Sequence, residues 1–213
     1  MKLYAISGLG ADKRVYQYLK LKHELIHLDW ITPKKNERIS DYAKRLSKPI
    51  DTSKPFGLIG LSFGGIVATE IAKQLNPKVT VLISSAETKN ELRTLYRIFG
   101  KILLIKLVPL FCFNMPRKIA YYLFGAQNKK LLKAILDDAD MYFTKWAVSQ
   151  LIIWENTIRL KHVIKINGEV DKLIPLKNHK NTITIKNGEH FMIVDKAKEV
   201  SDLINSNLDK NNI

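Results

Sequence analysis

The stretch Pro55-Phe56-Gly57-Leu58-Ile59-Gly60-Leu61-Ser62-Phe63-Gly64-Gly65-Ile66-Val67-Ala68 constrains this chain more than any other. The apolar run from Phe56 to Ile59 reads as a buried strand that stops at Gly60. After Gly64-Gly65 the apolar residues return at helical spacing, at Ile66, Val67, Ile71 and Leu75. Strand, sharp turn and helix therefore enclose Gly60-Leu61-Ser62-Phe63-Gly64, a G-x-S-x-G pentapeptide. A hydroxyl raised above a sheet on such a turn needs a strained backbone. Side chains two positions to either side would collide with it, which explains the glycines. The helix that starts there turns its free N–H groups and positive dipole end toward the same point. Phe63 N–H is thus a candidate donor to an oxyanion forming beside Ser62.

Around this stretch the chain reads as alternating strands and helices. Lys2 to Ile6 is a first strand that empties into Ser7-Gly8-Leu9-Gly10-Ala11, a loop suited to close approach by a ligand. If that loop neighbours Ser62, Leu9 N–H is the second candidate oxyanion donor. The spacing predicts a helix over Asp12 to Lys20, with Val15, Tyr16 and Leu19 inward. Leu25 to Trp30 reads as a second strand. His27 alternates within it as a structural residue, and Asp29 and Trp30 end it as candidates to line a pocket. An amphipathic helix follows from Ile39 to Leu46, and Val79 to Ile83 is the strand after the Ser62 turn. His162 to Ile166 and Thr182 to Ile185 are the last strands, and a closing helix carries Val194, Val200, Ile204 and Leu208.

From Glu87 to about Leu160 the alternation stops. The region is helical in pattern, rich in large apolar residues, and divided by Pro109, Pro116 and Gly125. It reads as a helical lid inserted over the active-site end of an α/β core, with an apolar pocket beneath it. The expected organisation is a core of residues 1–86 and 161–213, with residues 87–160 as the lid.

The totals exclude several classes. A length of 213 residues buries a full core as one domain with an insertion. One cysteine, Cys112, allows no internal disulfide and agrees with a reducing compartment. The first residues form a strand and lack a signal-peptide core, and the apolar stretch Ile102 to Phe113 is too short to span a bilayer. The expected location is the cytoplasm. A net charge of +15 raises the question of nucleic acid, but the lysines are scattered, with no arginine cluster and no interleaved aromatic pattern. No nucleic-acid partner is expected. Weak contact of the cationic, apolar lid with an anionic membrane surface stays open.

A serine hydroxyl needs a base, and the base needs a partner that fixes its tautomer. Asp171 follows the strand before last and His190 follows the last, so in a parallel sheet both loops emerge at the edge that carries Ser62. Of the five histidines, His190 alone follows a strand end inside a glycine-bearing loop. His162 sits at a strand start, and His23 and His179 lie in connections. The order Ser62, Asp171, His190 is the one expected for this architecture.

These features resemble a small α/β-hydrolase-fold protein. The resemblance rests on Ser7-Gly8-Leu9-Gly10 as oxyanion loop and Gly60-Leu61-Ser62-Phe63-Gly64 as nucleophile elbow. It rests equally on Gly168-Glu169-Val170-Asp171 with Pro175 as acid loop and Gly188-Glu189-His190-Phe191 as histidine loop. The resemblance covers the core on both sides of the lid and does not extend to the lid itself. Ser7 precedes Gly8 where many relatives have histidine, a change that leaves the backbone donor in place. The two leading strands of larger members are absent before residue 2. The resemblance implies a compact, mostly parallel six-stranded sheet with helices on both faces, in the order 2-1-3-4-5-6.

It further implies a serine hydrolase without a cofactor or metal. Ser62 would be the nucleophile, His190 the base, Asp171 the residue that orients it, and Leu9 and Phe63 N–H the oxyanion hole. The expected substrate is a small or medium apolar carboxylic ester or thioester. The fold leaves open an amide, lactone or carbon–carbon bond, or acyl transfer, by the same triad, and equally a non-catalytic binder of small molecules.

Overall fold

The computed structural model describes residues 1–94, 108–176 and 181–210. The expected apolar helical positions between residues 95 and 107 (Leu95, Tyr96, Phe99, Ile102, Leu103 and Leu104), His179 and the last three residues lie outside the described residues.

Six strands, β1 (Lys2–Ile6), β2 (Glu24–His27), β3 (Phe56–Leu61), β4 (Val79–Ile83), β5 (Val163–Gly168) and β6 (Thr182–Ile185), form one sheet. Every pairing is parallel, and the order is β2-β1-β3-β4-β5-β6, as the resemblance implied. β3 and β4 are buried at every position, which is why they read as unbroken apolar runs. Successive side chains point to opposite faces. Tyr4, Ile6 and Leu58 pack under α1 (Ile39–Leu46) and α2 (Phe63–Leu75), while Leu3, Ala5, Ile59 and Val81 pack with Met192, Ile193, Val200 and Ile204.

Three elements differ from the sequence reading. The helix expected over Asp12 to Lys20 is only a 3₁₀ turn, Lys13–Tyr16. Asp12 accepts the Arg14 N–H (2.9 Å) and grips the Arg14 guanidinium (2.6 Å), which closes one tight turn. Tyr16 Oη then donates to Ile6 O (2.7 Å) and docks the segment on β1. Burial holds that phenol far above its ordinary pKa, so it stays a donor. β2 ends at His27 rather than Trp30, because β1 offers it no partner beyond Ala5 and Trp30 turns away to donate Nε1–H to Ala11 O (3.0 Å). The closing helix is two, Met192–Asp195 and Ala197–Lys210, broken at Lys196.

Between β4 and β5 lies the helical insert. It contains 3₁₀ turns Lys89–Glu91 and Leu110–Phe113, then α3 (Arg117–Phe124), α4 (Lys129–Asp137) and α5 (Met141–Ile153). The expected punctuation holds. Pro109 and Pro116 stand at the starts of the second turn and of α3, and Gly125 ends α3 at φ 59°, the left-handed cap that favours glycine. Asn128 and Asp140 cap α4 and α5 with their side chains. Among the described residues, no helix is long and apolar enough to cross a membrane.

Among the described residues, contacts at the roots of the insert and along α5 tie it to the core. At its roots, Lys165 on β5 reaches Glu91 (2.6 Å), and Arg159 reaches Glu87 (2.6 Å) and Glu91 (3.1 Å). Glu87, Glu91 and Lys165 are all buried, so the network survives only because each charge has opposite charge beside it. Along its length, α5 is held by an aromatic cluster in which Tyr42 packs at a tilt against Trp146 (4.3 Å between ring centroids) and Trp30 against Phe143 (4.7 Å). Trp146 Nε1–H donates to Glu37 O (2.9 Å), and Gln150 Oε1 accepts the Ile39 N–H at the start of α1 (2.9 Å). Lys165→Met leaves two buried carboxylates sharing one half-exposed guanidinium. It is expected to lower stability by about 3 kcal/mol, read as a lower denaturant midpoint with an unchanged slope.

Candidate active site

β3 ends at Leu61 and α2 begins at Phe63, so Ser62 alone makes the turn, at φ 51° and ψ −121°. A non-glycine residue in that region costs about 1–3 kcal/mol and persists only where its surroundings hold it. Ser62 N–H donates to Ile83 O on β4 (2.9 Å), and Ser62 O accepts the Gly65 N–H (2.9 Å) and the Ser85 hydroxyl (2.6 Å). The two glycines of the pentapeptide leave room for this. A Cβ on Gly60 would lie 2.6 Å from Gly64 O, and one on Gly64 would overlap the Ile6 and Ser7 carbonyls at the end of β1.

The loops after β5 and β6 bring the other two residues to the same edge. His190 Nε2 lies 2.9 Å from Ser62 Oγ, a contact between residues 128 apart in the chain. His190 Nδ1 lies 2.8 Å from Asp171 Oδ2 and 3.0 Å from Oδ1. An ionised carboxylate can only accept, so Nδ1 carries the proton and Nε2 is left to accept from the serine hydroxyl. Asp171 Oδ1 also accepts the N–H groups of Leu173 and Ile174, both at 2.9 Å. Its side chain is fully shielded from solvent, which strengthens each of these interactions.

Neighbours fix the two loops. Asn167 Nδ2 donates to Ile174 O (2.7 Å) and so holds the backbone that binds Asp171. Val170 N–H donates to Gly188 O (3.0 Å), joining acid loop to histidine loop. Lys172 and Glu189, next in sequence to Asp171 and His190, form an ion pair, and the Lys172 ammonium lies 5.1 Å from the centre of the Tyr122 ring on α3. The Phe124 ring stands edge-on to His190 (5.4 Å between centroids), and Phe191 N–H donates to Phe124 O (3.0 Å). The end of α3 is therefore clipped to the histidine loop.

Leu9 lies in the loop after β1, closed by the Ala11 N–H on Gly8 O (3.0 Å) and the Ser7 hydroxyl on Ala11 O (2.7 Å). Phe63 is the first residue of α2, where N–H groups have no partner within the helix. Leu9, Phe63, Ser62 and His190 all line one cavity of about 180 Å³. The core contributes Leu61 and Ile66 to its walls, and the insert contributes Leu132, Ile135 and Leu151.

The structure thus gathers Ser62, Asp171 and His190 into one hydrogen-bonded chain, with Leu9 and Phe63 beside it. Asp29 and Trp30 do not join them. The Asp29 side chain is 85% exposed, and Trp30 is packed in the aromatic cluster between Tyr42 and Phe143. Sequence reasoning passed over Ser85, Asn167 and Phe124. Ser85 and Asn167 stand at the carboxyl ends of β4 and β5, a position that marks them as candidates in a parallel sheet. Phe124 carries no such signal, because it is one apolar residue among many in the insert.

No protein-family model matches the chain, and no curated protein matches its sequence. Solved structures do. A candidate lipase, lip1, from Acinetobacter baumannii AYE superposes with a TM-score of 0.74 at 17% identity, over 99% of this chain and 84% of the other. A lipase-esterase related protein from Clostridium acetobutylicum ATCC 824 gives 0.66 at 18% identity, covering 95% and 92%. MenH from S. aureus gives 0.70 at 16% identity, covering 100% and 95%. At such identities the likeness is one of fold, and the fold is the α/β-hydrolase fold.

Gly64→Ala places a methyl group against the Ile6 carbonyl carbon, 2.7 Å from its ideal position, as well as against two carbonyl oxygens. Backbone cannot yield as a side chain can, so a loss of roughly 3 kcal/mol or more is expected, measured by denaturant titration beside the wild type.

Proposed function

We propose that this α/β-hydrolase-fold chain is a serine hydrolase that cleaves an apolar carboxylic ester or thioester through an acyl-enzyme on Ser62. The observation that carries the reading is the unbroken chain from Ser62 Oγ to His190 Nε2 (2.9 Å) and from His190 Nδ1 to Asp171 Oδ2 (2.8 Å), at an apolar cavity. The lipase and esterase named among the structural neighbours agree with it.

In this reading, Ser62 Oγ attacks the substrate carbonyl as its proton passes to His190 Nε2. The N–H groups of Leu9 and Phe63 hold the negative oxygen of the tetrahedral intermediate. As that intermediate collapses, His190 returns the proton to the departing alkoxide or thiolate. A water molecule then gives its proton to His190 and attacks the acyl carbon, which releases the acid and restores the serine. Asp171 keeps the imidazole in the tautomer that makes both transfers work, and stabilises the cation between them. The insert acts as a lid that excludes bulk water and supplies part of the apolar wall, through Leu132, Ile135 and Leu151 among others.

Labelling with a fluorophosphonate, read by intact mass, tests the nucleophile. The wild type should gain one adduct, and Ser62→Ala and His190→Ala should gain none on the same timescale. A folded wild type that stays unlabelled, both alone and in mild detergent, sinks the reading. Asp171→Asn should keep the fold but present the wrong histidine tautomer, lowering kcat by about 10⁴-fold. A parallel panel of esters, thioesters, lactones and amides identifies the bond, and uniformly poor ester turnover beside fast turnover of another class overturns the ester assignment.

A further inference from the structure

The cavity at Ser62 does not stand alone. A second cavity of about 270 Å³ lies beneath the insert, lined by Cys112, Phe113, Ala139, Met141, Thr144 and Val148 among others. Leu9, Met115, Phe124 and Leu136 line both cavities. They are the shared wall, and all four side chains are apolar. The Met115 thioether chain is unbranched and adapts its shape readily.

Neither cavity offers a charge to a ligand. Among the described residues lining the first, His190 is the single ionisable group. In the second, the Arg117 guanidinium is committed to Asp137 (2.8 Å), Asn114 Oδ1 (3.2 Å) and Met115 O (3.0 Å). The Thr144 hydroxyl is likewise committed, to Asp140 O (2.7 Å). A charged substituent in the first cavity would lose its hydration and meet no charged partner but His190, and in the second the one cation is already paired, so an uncharged arm is favoured. Cys112, Asn114 and Pro116 are exposed, so the second cavity borders solvent.

Size sets the rest. An apolar cavity of about 150 Å³ holds a six-carbon ring, so the first cavity accommodates roughly that much beyond the reacting carbonyl. A longer chain must leave it, and the wall of Leu9, Met115, Phe124 and Leu136 is where the second cavity begins. We infer that the two cavities form one bent channel, and that the substrate carries an uncharged, unbranched apolar arm of about eight to twelve carbons. The arm runs from Ser62 past Met115 and Leu136 into the chamber under Val148 and Ala139. The inference rests on the hydrolase reading and adds to it a chain length and a path. Both the acyl and the alcohol part of an ester can supply such an arm.

Two ester series decide the matter: p-nitrophenyl esters of straight-chain acids, and acetates of straight-chain alcohols, each from two to about twelve carbons. In one series kcat/KM should climb by up to roughly fourfold per methylene and level off near ten carbons, and that series identifies the arm. Val148→Phe fills the second chamber from α5 and Ala139→Leu from the loop before it, so misfolding of one leaves the other to report. Each should cut the ratio of kcat/KM for the ten-carbon over the four-carbon substrate by about tenfold or more. Wild-type optima at two to four carbons in both series, or ratios within about twofold of wild type in the folded variants, overturn the channel. Fluorophosphonate labelling of Ser62 with a flat length profile overturns the channel alone. No labelling and no turnover in either series overturns the hydrolase reading and the channel together.

Discussion

A serine held at φ 51° between a strand and a helix can exist only where two neighbouring side chains are missing and three hydrogen bonds grip its backbone. Most of the site follows from meeting that condition. Gly64 must be bare because the end of β1 presses against it, and this same pressure sets the loop of Gly8 and Leu9 beside Ser62. Ile83 O must come from an adjacent strand, which places β4 and the Ser85 hydroxyl next to the turn. β1 is paired with β2 on one side and β3 on the other, so the chain reverses direction across the sheet between β1 and β3. A crevice opens at such a reversal because the connections leave on opposite faces. Ser62 stands at that crevice.

The core and the insert divide the work. The polar side chains that line the cavity, Ser62 and His190, stand after β3 and β6, and the loops after β1 and β5 open at the same edge because all these strands are parallel. Much of the apolar wall comes from the insert. The two are nevertheless one mechanical unit, because α5 is packed into the aromatic cluster with Phe63, the residue after Ser62, and α3 ends against the ring of His190. Displacing the end of α3 would disturb the imidazole directly. The Lys172–Glu189 pair, half-buried and reaching to Tyr122, extends that connection to the loops of Asp171 and His190.

Local reading failed where distant contacts took over. Asp12 to Lys20 has inward-facing Val15, Tyr16 and Leu19 at plausible helical spacing, yet the side chain of Asp12 and the hydroxyl of Tyr16 stop it at one turn. β2 is shorter than its apolar residues suggest, since an edge strand is only as long as the partner beside it. Trp30 was a candidate pocket residue by its position after a strand, but its indole N–H reaches Ala11 O and its ring fills the space between Tyr42 and Phe143. By contrast, Pro109, Pro116 and Gly125 divide the insert where the sequence says they should, because each acts through its own backbone restriction.

The sequence by itself determined the strand–turn–helix around Ser62, the six strands and most of their limits, and the placement of Asp171 and His190 in loops at the edge that carries Ser62. Those features are encoded in backbone permission, apolar periodicity and the rule that parallel strands open their loops at one edge. Only the tertiary structure decided that Nε2 of His190 comes within 2.9 Å of the serine, that Asn167, Ser85 and Phe124 hold the parts in place, and that the insert leaves two adjoining apolar cavities. Distances between residues more than a hundred positions apart depend on how every intervening side chain packs. No local pattern carries that information.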